Sequence, residues 1–393
     1  MRIEGDSAFL SHAARIFERV GPDMPADAAL RAYLAGPRKL GGLGRRRVSR
    51  AVFAAFRWLQ WLDPSMPSER RIERAVELQD RFNKDPASVK VATLTTRAVP
   101  PWLATEMDLS GEYLKQLQRE PSLWIRARVG MRDKVAEALG NCAAAVIPAG
   151  WTAPADLTAL KYKGESDLFM TPSFREGAFE IQDLASQWVG HACDPQPGET
   201  WWDACAGEGG KTLHLSGLMR NRGLVWATDR SERRLSVLKR RAARAGVHNY
   251  RAVPWAAAGP SPVRTPCDGV LIDAPCSGVG TWQRNPHARW TVLPTDVQEL
   301  VGIQLALLEA GAAALKPGGR LVYSVCTLTR SETVFVVDAF AQRHPEFQPR
   351  AIGYAGAAES GRPNGLLIWP QQIDANGMFI AAWTKPKPAR PGK

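Results

Sequence analysis

The sequence predicts an α/β protein, with a doubly wound, mostly parallel sheet in its C-terminal part behind a helical head and a small α+β module. Three observations carry that prediction. From about Gly177 onward, short apolar strand-like runs alternate with helical stretches of about 10–15 residues, the pattern of βαβ crossovers. From Asp27 to about Glu120, apolar residues recur at helical spacing. Between the two, strand-like and helical runs alternate over about 60 residues, as in a small α+β unit. The expected boundaries are 1–118, 119–176 and 177–384, followed by a disordered basic tail over 385–393.

In the head, "RRRVSRAVFAAFRWLQWLD" places Val48, Ala51, Val52, Ala55 and Leu59 on one helical face. Arg45, Arg46, Arg47 and Arg50 crowd its start, and the stretch from Gly36 to Arg50 also holds Arg38 and Lys39 with no acid. It suits either a phosphate grip or a solvated helix entry. In the module, "SLWIRARVG" reads as a strand, "MRDKVAEALGN" as a helix, and "AAAVIPAG" and "LTALKYKG" as further strands. The third segment opens with an expected helix "FEIQDLASQWVGHA". Strands "TWWDACAGEGG", "GLVWATD", "CDGVLIDAPCSG" and "RLVYSVCT" then alternate with helices "KTLHLSGLMRN", "RSERRLSVLKRRAARAG" and "QELVGIQLALLEAGAAAL". The arginines and lysine of the second helix read as a solvated outer face.

Composition narrows the function. Lys and Arg total 51 against 39 acids, a net charge of +12 that suits a polyanionic partner. No run reaches the roughly 20 apolar residues of a bilayer span. The N-terminal stretch carries acids and arginines where a signal peptide is apolar, so a cytoplasmic location is expected. Six cysteines show no CxxC pair and no histidine at zinc-ligand spacing, so reduced thiols and no metal are expected.

Ligands of such a sheet bind outside the carboxyl ends of its strands. The first such end is "DACAGEGGKT", Asp203 to Thr212, where Gly207, Gly209 and Gly210 let a ligand approach the backbone at a helix N-terminus. It is neither GxGxxG nor a P-loop. Asp229 closes the next strand, where a carboxylate can accept both hydroxyls of a ribose. The glycine loop and this acid together point to an adenosine-containing cofactor. Two later strands each end in a cysteine, Cys276 after Asp273 in "LIDAPCSGVG" and Cys326 in "RLVYSVCTLT".

"IQDLAS", "DACAGEGGKT", "ATDRS", "DGVLIDAPCSGVGTWQRNP" and "LKPGGRLVYSVCT" occur in the order of the motifs of the RsmB/NOP2/Sun family of S-adenosylmethionine-dependent RNA cytosine-5 methyltransferases, which this chain resembles. The run "VPPWLATEMDLSGEYLKQLQREPSLWIRARV" is similar to that family's passage from head to module. The head resembles a NusB-like RNA-binding domain only in length, position and basic character. The resemblance implies a Rossmann-like class I methyltransferase domain, S-adenosyl-L-methionine as cofactor, RNA as partner (ribosomal, or transfer RNA as the alternative), and a monomer. A catalytically idle RNA-binding assembly factor is a reading of another class; it predicts loss of Asp273, Cys276 or Cys326, and all three are present.

The chemistry gives two cysteines a reason. C5 of cytosine is a poor nucleophile until a thiolate adds at C6, and afterwards the C5 proton and the thiolate must both leave. Addition at C6 needs a donor at N3, for which a carboxyl held partly protonated in a closed pocket is suited, and Asp273 stands at that place. A thiol of ordinary pKa is mostly protonated at neutral pH, so a positive neighbour such as Lys211 helps. Chemistry alone does not assign the two roles. The family match makes Cys326 the nucleophile and Cys276 the residue assisting release, with Asp273 and Lys211 also catalytic; a Pro-Cys context like Pro275-Cys276 carries the nucleophile in related DNA enzymes. The cofactor-binding expectation covers Asp203, Cys205, Ala206, Gly207, Glu208, Gly209, Gly210, Lys211, Asp229, Arg234 and Asp273. Arg284, Arg289 and Trp282 in "GTWQRNPHARW" are expected to bind RNA by phosphate contact and stacking.

Departures from the family pattern sit at Gly207-Glu208, where Ala-Pro is usual and where Lys211 is expected to balance the added charge, and at Val325 and Gln283, in place of a threonine and an arginine. "YRAVPWAAAG" lacks an acid for the adenine edge, leaving Trp255 either to stack there or to fill the core.

Overall fold

Seven helices open the chain: α1 (Gly5–Phe17), α2 (Ala26–Ala35), α3 (Gly42–Arg57), α4 (Ser68–Lys84), α5 (Val91–Arg97), α6 (Leu103–Glu106) and α7 (Gly111–Leu117). The computed structural model describes residues 5–21, 23–36, 40–256, 261–352 and 365–387. Arg38, Lys39 and the tail from 388 lie outside them. The polypeptide divides into two compact units, residues 1–121 with 278–294, and residues 122–277 with 295–393. The domain borders thus differ from those expected.

Within the first unit, Val48, Ala51, Val52 and Ala55 face the core as the helical period requires. The helix stops at Arg57, so Leu59 falls in the 3-10 turn Leu59–Trp61 and is half-buried. Arg45, Arg46, Arg47 and Arg50 are exposed, and Arg50 pairs with Asp80 and Glu120. The segment 278–294 belongs to this unit although its sequence interrupts the C-terminal domain. That overturns two expected RNA contacts. Arg289 is 0% exposed, and its guanidinium donates to the carbonyls of Trp282 (3.2 Å), Ala98 (3.3 Å) and Leu117 and to Gln118 Oε1 (2.8 Å). Trp282 is also fully buried, edge-on to Trp102 at 6.0 Å. Both fill the core of the head, where neither phosphate nor base reaches them. Arg284 alone of the three is half-buried.

The second unit begins with β1 (Leu123–Ala127), α8 (Arg132–Leu139), β2 (Cys142–Ala144), β3 (Ala159–Tyr162), α9 (Pro172–Arg175) and β4 (Phe179–Ile181). They form an antiparallel sheet in the order β2-β3-β1-β4. The module therefore runs past 176, because "FEI" pairs with β1 instead of starting a helix. The helix α10 (Leu184–Cys193) starts only after Asp183, whose carboxylate accepts from Ala185 N at 3.0 Å. Beyond it come β5 (Thr200–Asp203), α11 (Gly210–Leu218), β6 (Leu224–Asp229), α12 (Glu232–Ala245), β7 (Tyr250–Pro254), β8 (Cys267–Asp273), α13 (Pro294–Ala314), β9 (Leu315–Val325), α14 (Val334–Arg343), β10 (Gln348–Pro349), β11 (Gly365–Ile368), α15 (Pro370–Ile373) and β12 (Met378–Thr384).

These strands form a second sheet in the order β10-β12-β9-β8-β5-β6-β7, parallel from β9 to β7, with β12 antiparallel to β9 and β11. The doubly wound expectation is met. Strand order reverses at β5, so the ends of β5, β8 and β9 open at the switch point. On α12, Leu235, Leu238 and Ala242 point inward, but the outer face is not simply solvated: Arg241 (2.9 Å) and Arg244 both grip the buried Glu180 of β4. The helix α13, with 21 residues and a mean hydropathy of 1.2 over its most apolar stretch, is long and apolar enough to cross a membrane by length and composition alone, as core helices also are, and it is no unbroken apolar run. It buries Val297, Gln304, Leu307, Leu308 and Ala312.

Candidate active site

The chain after β5 turns through Gly207 (φ +54°) and Gly209 (φ +88°) into α11. Left-handed backbone is open to glycine at little cost, and a Cβ on Gly209 would meet Leu238 Cγ at 2.6 Å. Asp229, at the end of β6, holds this loop: its Oδ2 accepts from Gly207 N at 2.9 Å and its Oδ1 from Ser231 N at 2.8 Å. Each oxygen keeps a lone pair, so the carboxylate can still accept the two hydroxyls of a ribose. Asp203, at the end of β5, is fully buried; its Oδ2 accepts from Thr212 Oγ1 at 2.7 Å, and its Oδ1 has no hydrogen-bond partner among the described residues. Burial raises its pKa to about 7, outweighing the Thr212 hydrogen bond, with the charge of Asp273 adding to the rise.

One strand further on, Lys211 Nζ donates to Asp273 Oδ2 at 2.6 Å, while Ser324 Oγ donates to Asp273 Oδ1 at 2.8 Å. Both carboxylate oxygens thus accept a hydrogen bond from a neighbouring side chain. The proton donor of the pair is Lys211. Burial pulls its pKa down, but the charge and hydrogen bond of Asp273 more than offset this, so the ammonium is held above its ordinary value. Lys211 therefore balances Asp273 and not Glu208, whose side chain is exposed.

The two cysteines of adjacent strands β8 and β9 meet. Cys276 Sγ lies 3.3 Å from Cys326 Sγ. The Cys326 thiol is pulled below its ordinary pKa chiefly by its hydrogen bond with Cys276, aided by Lys211, against burial and the charges of Asp273 and Glu332. Cys193 and Cys205 differ, since burial pushes both thiols well up, and Cys267 is pushed up to about 12. They are structural. Sequence reasoning missed the residues beneath the pair. Glu332, 0% exposed, accepts from Ser277 N (2.8 Å), Gln304 Nε2 (3.0 Å), Thr329 Oγ1 (2.8 Å) and Ser277 Oγ. Its only signal was to be the sole acid in the apolar and hydroxyl-rich run from Val325 to Val337.

Cys205, Ala206 and Gly210 belong to the same glycine loop, whereas Arg234 is exposed on α12, where its backbone N–H donates to Ser231 Oγ. Trp255 packs edge-on against Trp202 at 5.0 Å.

Residues 191–384 match the family model described as 16S rRNA methyltransferase RsmB/F. Over this stretch, just under half of its length, the chain matches the RsmB/NOP2/Sun family. It is 38% identical over 221 residues to a probable ribosomal RNA small subunit methyltransferase B of Bacillus subtilis, an alignment covering 55% of this chain and 49% of that protein. The chain spans about half the length of the curated relatives it matches. Its fold is that of the crystal structure of PH0851, with a TM-score of 0.78 and 22% identity over 98% of this chain and 99% of that one. NSun6 from Pyrococcus horikoshii, solved with SFG, an analogue of S-adenosylmethionine, is 28% identical with a TM-score of 0.52, covering 56% of this chain and 57% of that one. In this domain, the glycine loop leaves its backbone open to close approach, and Asp229 retains acceptor capacity beside it.

Proposed function

We propose that this chain transfers a methyl group from S-adenosylmethionine to C5 of a cytosine in RNA, ribosomal RNA being the substrate that its relative's name favours. The observation that carries the reading is the pair of thiols in contact beside the Lys211–Asp273 ion pair, on neighbouring strand ends at the switch point. S-adenosylmethionine, when bound, supplies the methyl group on a sulfonium. Cys326, the thiol held low by its neighbour, adds to C6 of the cytosine, and Cys276 is the donor in their hydrogen bond. The Lys211–Asp273 pair delivers the proton that N3 needs as the C6–S bond forms. The resulting enamine carries its electron pair at C5, which takes the methyl group; loss of the C5 proton to a base then re-forms the C5–C6 double bond and expels the Cys326 thiolate, and N3 returns its proton to the Lys211–Asp273 pair. Cys276, positioned against that sulfur, protonates it as it leaves.

The cytosine must be unpaired or flipped out, because C6 is unreachable within a helix. Glycine loop, Asp229 and Asp203 would hold the cofactor, and the basic head would hold RNA through its exposed arginines.

Cys276→Ala, mixed with S-adenosylmethionine and total RNA, is expected to accumulate a protein–RNA band on a denaturing gel. The band should vanish when Cys326→Ala is added. An adduct that survives loss of Cys326 reverses the two roles, and absence of both adduct and methylation with every RNA favours the idle RNA-binding factor.

A further inference from the structure

The buried carboxylate beneath the thiols does more than fill space. Ser277 directly follows Cys276, and Thr327 directly follows Cys326. Glu332 takes two hydrogen bonds from Ser277, through its N–H and its hydroxyl, and one from Thr329, while Ser277 Oγ lies 2.9 Å from Thr327 Oγ1. Gln304, on α13, ties the same carboxylate to the carbonyl of Pro275, the residue before Cys276. Tyr323 holds the Glu332 carbonyl from β9 at 2.7 Å. Three residues, from two strand-exit loops and one helix, therefore converge on one side chain.

A buried carboxylate is costly unless its lone pairs are met, and these donors meet them. None of these hydrogen bonds involves Asp203, Lys211, Asp229 or Asp273, so packing alone would have been served as well by an apolar side chain. A carboxylate earns its place where two loops must be held in one register. We propose that Glu332 is a positioning residue that locks the Cys276 loop to the Cys326 loop and so sets the contact between the two thiols. This rests on the reading above for its catalytic meaning, but the geometric claim can be tested without any methyl transfer.

The test is thiol coupling in the free, full-length protein. A diazene oxidant such as diamide takes two protons and two electrons from two thiols in contact, becoming the hydrazine and leaving a disulfide, whose formation mass spectrometry follows. Wild-type protein is expected to couple Cys276 to Cys326 rapidly. Glu332→Gln presents an amide NH2 to donors and should slow coupling by about ten- to a hundredfold, the loss expected when reacting atoms drift by about 1 Å. Ser277→Ala keeps the backbone N–H and should slow it less. Leu160→Ala, which removes a buried side chain from the separate core of the small antiparallel module, is the control: it lowers stability and should leave the coupling rate unchanged. Equal coupling rates in wild type, Glu332→Gln and Ser277→Ala overturn the proposal. If Glu332→Gln does not fold, Ser277→Ala alone decides. With RNA and S-adenosylmethionine, Glu332→Gln should lower kcat with KM little changed; absence of methylation in wild type with normal coupling sinks the functional reading and leaves the clamp standing.

Discussion

Replacing Arg289 by methionine separates the two accounts of this residue. Its guanidinium is 0% exposed and makes four hydrogen bonds, three to backbone carbonyls and one to Gln118. Bonds from a charged donor are worth roughly 1.5–3 kcal/mol each, so losing four costs about 6–12 kcal/mol. Part of that is returned. Burial, with the nearby Arg57 adding to it, lowers the Arg289 pKa from 12.5 to about 9, and the charge therefore costs roughly 5 kcal/mol to keep there. The net is a loss of about 1–7 kcal/mol in the head. Hydrogen exchange followed by mass spectrometry should show peptides of α3, α7 and 278–294 opening at least several-fold more often, with the sheet of the second unit unaffected. RNA affinity measured across a salt series should keep its slope. Unchanged protection together with a slope reduced by about one charge would refute this reasoning and restore Arg289 as a phosphate contact.

Two further outcomes follow from the acids of the cofactor loop. Asp203 has its pKa raised to about 7 from 3.8, so between those values the folded protein holds a proton that the unfolded chain has lost, and stability falls as pH rises through that window. Above it the loss reaches about 4 kcal/mol. Asp203→Asn removes the titration, so its melting temperature should gain on wild type steadily from pH 4 to pH 8; parallel curves would show that Asp203 does not titrate there. Asp229→Ala frees Gly207 N and Ser231 N and removes the acceptor for the ribose. Calorimetry with S-adenosylhomocysteine should show affinity down about a hundredfold, equivalent to about 3 kcal/mol, and a change under threefold would remove Asp229 from the cofactor site.

The parts of the fold that were legible follow local rules. Parallel strands buried on both faces read as short apolar runs, and each one ends where a special residue marks the turn, as at Asp203, Asp229, Asp273 and Cys326. Segment 278–294 was not legible in the same way. Two arginines and two tryptophans in a loop beside Cys276 have the composition of a nucleic-acid contact, but composition does not reveal burial. Whether Arg289 faces phosphate or peptide carbonyls depends on Ala98, Leu117 and Gln118, roughly 170 or more positions away in the chain. The strand at Phe179 was missed for a related reason: three residues give too short a period to show, and pairing with β1 decided the outcome. Glu332 was silent because a lone acid has no spacing.

The charges at the strand ends explain why this arrangement suits a cationic cofactor. Asp203, Asp229 and Asp273 close neighbouring strands, and Lys211 is engaged with Asp273. The excess of negative charge has visible effects. It contributes to the raised pKa of Asp203, and through Asp273 and Glu332 it opposes ionisation of Cys326. Any positive charge that enters among these acids acts on both at once: it favours the ionised form of Asp203 and the thiolate of Cys326. A sulfonium is such a charge, whereas the thioether left after methyl transfer is neutral. In the proposed mechanism, the electrostatics that favour the thiolate before transfer are thus withdrawn afterwards, when the C6–S bond would break and Cys276 would give up a proton. A neutral methyl donor would offer neither effect.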